Sequence, residues 1–216
     1  MNGISVVFRK ALAIPAVVVA GVFAASASGQ GSEFNKIVVK DRVHLELPAA
    51  WFVYGAKGLD RLAQVSEQIF GHRKRYPTSF AAQSEQTAPV AMVRVTVSPA
   101  DPPLTQAELK ANAQEFADEL RNELREATAE MWARLAKIGV KPVGEPRVDV
   151  EELGGQLAIV IRYGRTQPGH PGMTMRVEQY WVPLGSEMAQ ITLSHLEGDP
   201  KAVASRDRIK RSIRIH

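Results

Sequence analysis

None of the 216 residues is a cysteine. That absence excludes thiol catalysis, cysteine-ligated zinc, iron–sulfur clusters and a lipidated N-terminal cysteine in one step. The G-x-S-x-G elbow, the H-E-x-x-H zinc helix, the EF-hand loop and the G-x-x-x-x-G-K-S/T phosphate loop are missing as well. No cofactor is called for by what remains. No apolar run reaches the roughly 20 residues that a spanning helix needs, and there is no internal repeat.

What is present begins with a short export pattern. Arg9 and Lys10 form a positive start, Ala11 to Phe23 is uncharged and apolar, and Ala25-Ser26-Ala27 is a small-residue cleavage site. The expectation is a signal peptide over 1–27, a flexible leader over 28–36 and a single domain over 37–216. The mature chain is then periplasmic in a two-membrane bacterium, secreted otherwise, and not membrane-spanning. No Arg-Arg pair precedes the apolar run, which favours export of an unfolded chain over twin-arginine export. Removing Arg9 and Lys10 from 27 basic residues leaves 25 against 23 acidic ones, a balance of only +2. So weak a balance gives no support to nucleic acid as a partner. At 45% hydrophobic and 23% charged, the composition is that of an ordinary globular domain, stable without cross-links or a structural metal.

One stretch dominates the pattern. Thr105 and Glu108 fit a capping box, and Leu109, Ala113, Phe116, Leu120, Leu124, Ala127, Met131, Leu135 and Ile138 recur with the helical period. Gly139 and Pro142 stop it. The spacing predicts one helix over 104–139, roughly 50 Å long, with Glu115, Asp118, Glu119, Glu123, Glu126 and Glu130 on a solvated outer face. Around it lie alternating segments: Ile37 to Lys40 with Val43 to Leu47, Thr78 to Ser84, Val90 to Val97, Arg147 to Leu153 with Gln156 to Thr166 through Gly154-Gly155, and Met173 to Leu184 with Glu187 to Leu196 through Gly185-Ser186. Leu59 to Phe70 reads as a short helix, and Asp199-Pro200 opens a last one. Hairpins separated by helices, without βαβ alternation, define an α+β layered fold with a mostly antiparallel sheet.

The opening hairpin that ends in Leu47-Pro48-Ala49-Ala50-Trp51 resembles that of the PsbP-like superfamily, which includes PsbP, Mog-type and DcrB-like proteins. The closing segment Gln179 to Leu184, Ala189 to Ser194, a short helix and Arg211-Ser212-Ile213-Arg214-Ile215 is similar to that family's end. The resemblance implies a three-layer α/β/α sandwich with one long central helix. It also implies an accessory or binding role, since no shared catalytic constellation comes with it.

Site candidates are few. His72-Arg73-Lys74-Arg75-Tyr76 is the densest basic cluster and suits an envelope protein or anionic surface as partner. Trp132 falls one step off the helical stripe, a place for a partner contact, whereas Trp51 and Trp181 sit in apolar strand contexts that suit core packing. Ser194 and His195 are strand neighbours and so point to opposite faces. His44 and Glu46 share a strand face with spacing adequate for two metal ligands, though exposed alternation explains them equally. His170 lies in a Pro/Gly loop. These features favour an exported, soluble, non-enzymatic binding protein. The second reading is a hydrolase or small-molecule binder with its site between the sheet and the long helix, where His44, His170 or His195 would meet carboxylates in a deep cleft.

Overall fold

The computed structural model describes residues 33–70, 76–167 and 170–216. The signal peptide, most of the leader and His72 to Arg75 lie outside them, as do the side chains of Ala127, Met131 and His170. Strands β1 (Phe34–Val39) and β2 (Val43–Pro48) form the first hairpin, and β1 starts three residues inside the stretch read as leader. Lys40 and Asp41, both at positive φ, make the turn. A two-residue β3 (Phe52–Val53) leads to α1 (Ala56–Phe70), then β4 (Phe80–Gln83) and β5 (Ala91–Leu104).

The expected single long helix is two. After the capping box at Thr105 and Glu108, α2 runs only over Gln106–Ala111, and α3 begins anew at Ala113–Ala136. Asn112 stands between them at φ −123°, ψ 24°, and its side-chain amide donates to the Glu108 carbonyl at 3.0 Å. A short polar side chain that competes for backbone groups interrupts the ladder there. Gln106 staples α2 down: its amide donates to the carbonyls of Leu157 and Pro183, and its Oε1 accepts from the Leu157 N–H. The remaining elements are β6 (Pro142–Leu153), β7 (Gln156–Gln167), β8 (His170–Pro183), β9 (Gly185–Leu196), α4 (Pro200–Ser212) and β10 (Arg214–Ile215).

The main sheet has seven strands in the order β3-β4-β5-β9-β8-β7-β6, and a second sheet has the order β1-β2-β10. Every pairing is antiparallel. Alternation along the strands splits the core in two. On one face Ile159, Ile161, Val177 and Trp181 meet Leu109, Phe116, Leu120 and Leu124 of α2 and α3. On the other, Val93, Val160, Tyr180 and Ile191 meet the small sheet (Val43, Leu45, Leu47) and α4 (Ala202, Ile209). The result is a three-layer α/β/α sandwich whose third layer combines a helix with the three-stranded sheet. Trp51 and Trp181 are core residues, as their strand contexts suggest. No helix among the described residues is long and apolar enough to cross a membrane.

Candidate functional site

The sheet carries an unusual polar row on the face that meets α2 and α3. Cross-strand register places Met92, Ser194, Val177 and Tyr163 in one line over β5, β9, β8 and β7. Arg94, Thr192 and Gln179 occupy the next line on one side. Arg165, two residues beyond Tyr163, starts from the line on the other side. Both arginines lean back over the middle line and enclose a partly open cavity of about 20 Å³, lined by the residues named except Gln179.

Burial sets the electrostatics. Burial brings the Arg94 guanidinium down to about 10, the Arg165 charge adds to that, and Tyr54 and Tyr163 partly oppose it. Arg165 is lowered by burial, and Tyr163 partly offsets the effect. The Tyr163 hydroxyl is pushed up to about 12, again by burial. At neutral pH the cavity therefore holds two cations and a protonated phenol. Nη1 of Arg165 donates to the Thr166 carbonyl at 3.2 Å and to Gln167 Oε1 at 2.6 Å. Beside Arg94, Tyr54 donates to Gln83 Oε1 at 2.5 Å.

On the opposite face a network joins the sheet to α4. Glu178 accepts from Arg206 and from the Tyr180 hydroxyl, both at 2.7 Å, and lies 3.7 Å from Lys210. Glu151 pairs with Arg162 and Lys210. Burial alone would raise the Glu178 carboxyl, but the Tyr180 hydrogen bond with Arg206, Lys210 and Arg162 outweighs it and leaves the group lowered. His195 is lowered by burial and by Arg206. A larger, open hollow of about 530 Å³ borders this network, at the Gly154-Gly155 turn between β6 and β7, with Lys210, Arg211 and Arg214 on its rim and Glu152 and Asp207 among them.

The residues singled out in the sequence fall apart spatially. His72 to Arg75 lie outside the described residues, and Tyr76 is half-buried. Trp132 packs edge-on against Tyr163, ring centroids 6.0 Å apart, at the margin of the core. Ser194 and His195 do face opposite ways: Ser194 lines the cavity while His195 lies on the α4 side, near Arg206. His44 sets its ring against His216 at 4.8 Å, and Glu46 pairs with Arg208. Among the described residues no group of three or more His, Asp or Glu is placed to hold a metal. The outer face of the long helix needs correction, since the Oε2 atoms of Glu119 and Glu123 are shielded from solvent. Arg165 carries a signal in the sequence, since it places a charge on the apolar face of Leu157, Ile159, Ile161 and Tyr163, whereas Arg94 alternates with Val93 and Val95 as any solvent-facing strand residue does.

An antiparallel sheet between two covering layers, with a small cavity that two arginines help to line on one face and an open hollow on the other, defines a layered α+β domain. No family model and no curated protein sequence matches the chain. Among solved structures it is similar to the solution structure of cyanobacterial PsbP (CyanoP) from Synechocystis sp. PCC 6803, with 13% identity and a TM-score of 0.47, over 89% of this chain and 98% of that one. A PsbP protein, the kind its end segments resemble, is thus among the matches. It is also similar to LpqN of Mycobacterium tuberculosis, described as involved in cell envelope biogenesis, with 14% identity and a TM-score of 0.43 over 86% and 87% of the two chains. A crystal structure from Bacteroides thetaiotaomicron VPI-5482 aligns with 8% identity and a TM-score of 0.43 over 86% of this chain, which spans about half (49%) of that structure.

Proposed function

We propose that the chain is an exported, non-enzymatic binding protein of the cell envelope that engages an envelope protein or other surface of negative charge. Export rests on the positive start, apolar run and Ala25-Ser26-Ala27 pattern. The observation that carries the binding role is how the described interior is packed. Among the described residues, apolar side chains fill the interface of the sheet with α2 and α3 around a cavity of about 20 Å³, far below the 300–1,000 Å³ in which small substrates are usually enclosed. The 530 Å³ hollow is open and surface-lying, with Arg211 and Arg214 exposed at its edge. Basic groups on an open surface give salt-sensitive attraction to acidic partners and little shape selection. His72, Arg73, Lys74, Arg75 and Tyr76 extend the same chemistry in sequence, and Trp132, on the α3 side of the sheet, is a separate apolar contact in this reading.

The test is photo-crosslinking in the native envelope from position 76 and from position 211, at low and high salt. One acidic partner captured from either position at low salt and lost at high salt is the expected result. Intact mass of the recovered protein should begin at Ser28. Undiminished capture by the variant with Arg73, Lys74 and Arg75 replaced by Ala, together with Arg211→Ala and Arg214→Ala, overturns the docking role, and a retained Met1 overturns export.

A further inference from the structure

We infer that the free edge of β1 is a docking site for an extended segment of a partner protein, added as a further strand, with a carboxylate opposite Lys36 and apolar side chains opposite Ile37 and Val38. This contact goes beyond the basic rim of the role proposed above and stands on separate residues. β1 ends the order β1-β2-β10, so only β2 pairs with it among the described strands. The bond from the Ala49 N–H to the Glu33 carbonyl, at 2.9 Å, fixes which way its backbone groups point. Hydrogen-bonded pairs alternate with non-bonded ones in an antiparallel ladder, so Glu33, Asn35, Ile37 and Val39 turn to β2, and Lys36 and Val38 turn away. The far side of β2 keeps the same phase, since the Glu46 N–H donates to Ser212 Oγ and the Arg42 carbonyl accepts from the His216 N–H. The N–H and C=O groups of Lys36 and Val38 make no hydrogen bond among the described residues.

The other sheet edges are blunted. β3 and β10 are two residues long. β6 carries Pro142, Gly144 and Pro146, is irregular between Val143 and Arg147, and has its Val148 carbonyl capped by Arg121 Nη2 at 3.1 Å. Short strands, prolines, bulges and covering groups keep an edge from pairing. β1 has six residues, no proline, and an unbroken register with β2 from Phe34 to Val39. Its one protection is Lys36, and a lone cation on an edge selects its partner by charge. A second copy paired about Lys36 would set like charges opposite each other, whereas a carboxylate there is attracted. Lys36 is exposed and makes no ion pair among the described residues, and Glu46, its neighbour across the ladder, is held by Arg208. Lys40 and Asp41 cancel in the turn and Glu33 precedes the strand, so the carboxylate belongs at the middle of the incoming segment. Val38, at 53% the most exposed large hydrophobic side chain among the described residues, shares the outer face with Lys36, while Ile37 turns to the core. Main-chain bonds hold an added strand, and these side chains choose which one.

The test uses the purified full chain and two blocked heptapeptides, with valine flanking a central glutamate or lysine and threonine at both ends. Amide hydrogen exchange is read by NMR. With the glutamate peptide, exchange of the Lys36 and Val38 amides should slow by about tenfold or more at saturation, while those of Ile37 and Val39, already paired with β2, keep their rates. The lysine peptide should bind about three- to tenfold more weakly, and Lys36→Glu should reverse the order. Val38→Pro removes an outward donor at an edge position that tolerates proline and should abolish binding of both peptides; if that variant does not fold, Lys36→Glu carries the test alone. Unslowed amides at 36 and 38, equal affinity of the two peptides, or an order that Lys36→Glu leaves unchanged overturns the proposal. So does a free protein in which those amides are already protected: loss of protection on dilution gives the edge to a second copy, and loss on removal of residues 28–32 gives it to the chain's own leader. Envelope crosslinking from positions 76 and 211 that persists in Lys36→Glu leaves the surface role standing whatever becomes of the edge.

Discussion

A buried amide with nothing to bond costs about 1–3 kcal/mol, and Gln179 leaves both of its amide atoms without a hydrogen-bond partner among the described residues. Gln179→Met keeps the length of the side chain and removes the polar atoms, so it is expected to raise stability by about 1 kcal/mol in urea unfolding. A loss of similar size would show that ordered water already serves the amide. His195 makes the opposite kind of statement, because its Nδ1 is buried without a hydrogen-bond partner among the described residues and Arg206 lies close. Burial first, then Arg206, lowers its folded value below the ordinary 6.5, so below pH 6.5 the unfolded chain binds more protons than the folded one. Stability should hold above pH 6.5 and decline as pH falls from there toward the lowered folded value. His195→Gln should abolish that part of the slope in unfolding measured between pH 7 and 5. The opposed directions of Ser194 and His195 could be read from adjacency alone. That His195 is enclosed could not, since burial of a strand residue depends on which face of the sheet is covered, and here α4, which starts only five residues later, folds back over the face that His195 shares.

Elements were legible where local chemistry closes them. The Asp199-Pro200 start of α4 is seen as read, with Asp199 Oδ1 accepting from the N–H groups of Lys201 at 2.9 Å and Ala202 at 3.0 Å. The Gly154-Gly155 turn has both residues at positive φ, as a two-residue hairpin requires. Asp199→Ala removes the acceptor of two otherwise unpaired amides and is expected to cost about 1 kcal/mol in urea unfolding. No cost would mean that water replaces the cap in full. The stretch 104–139 was less legible. Periodicity continues across Asn112, because α2 and α3 both turn their apolar sides to the same sheet, so the stripe conceals the break between them. With a single straight rod assumed, Glu119 and Glu123 fell on the outer face, and the separate course of α3 brings one oxygen of each out of solvent. The extension of β5 to Leu104 through Pro99 and Pro102-Pro103 was also hidden, since prolines ordinarily argue against a strand and are admitted here only where the pairing with β9 becomes irregular between Pro99 and Leu104.

At the scale of the whole molecule, what joins the third layer to the sheet is apolar at its centre and ionic at one end. Ile209 and Ile213 seal α4 against the sheet, while Glu178 on β8 draws in Arg206 and Lys210 of the helix and Arg162 of β7. The layering was readable from hairpins and helices in sequence, but these cross-layer pairs were not: Glu178 alternates with buried neighbours as any solvent-facing strand residue does, and its partners lie 28 and 32 positions away in a segment whose cations a helix C-terminus would explain alone. Only 12% of the Glu178 side chain is exposed, so its charge is little screened. Glu178→Gln would leave Arg206, Lys210 and the Tyr180 hydroxyl facing a neutral amide, at an expected cost of about 2–3 kcal/mol. The pH dependence separates lost charge from lost shape. Because the folded value of Glu178 is lowered from 4.5, its contribution is complete above pH 4.5 and is lost as pH falls through the lowered value. Wild type should therefore converge on the variant as pH drops below about 4.5, in urea unfolding run from pH 7 to 3. A gap that stays constant across that range would mean that Glu178 holds α4 by packing, and that the ion network contributes nothing to the union of the layers.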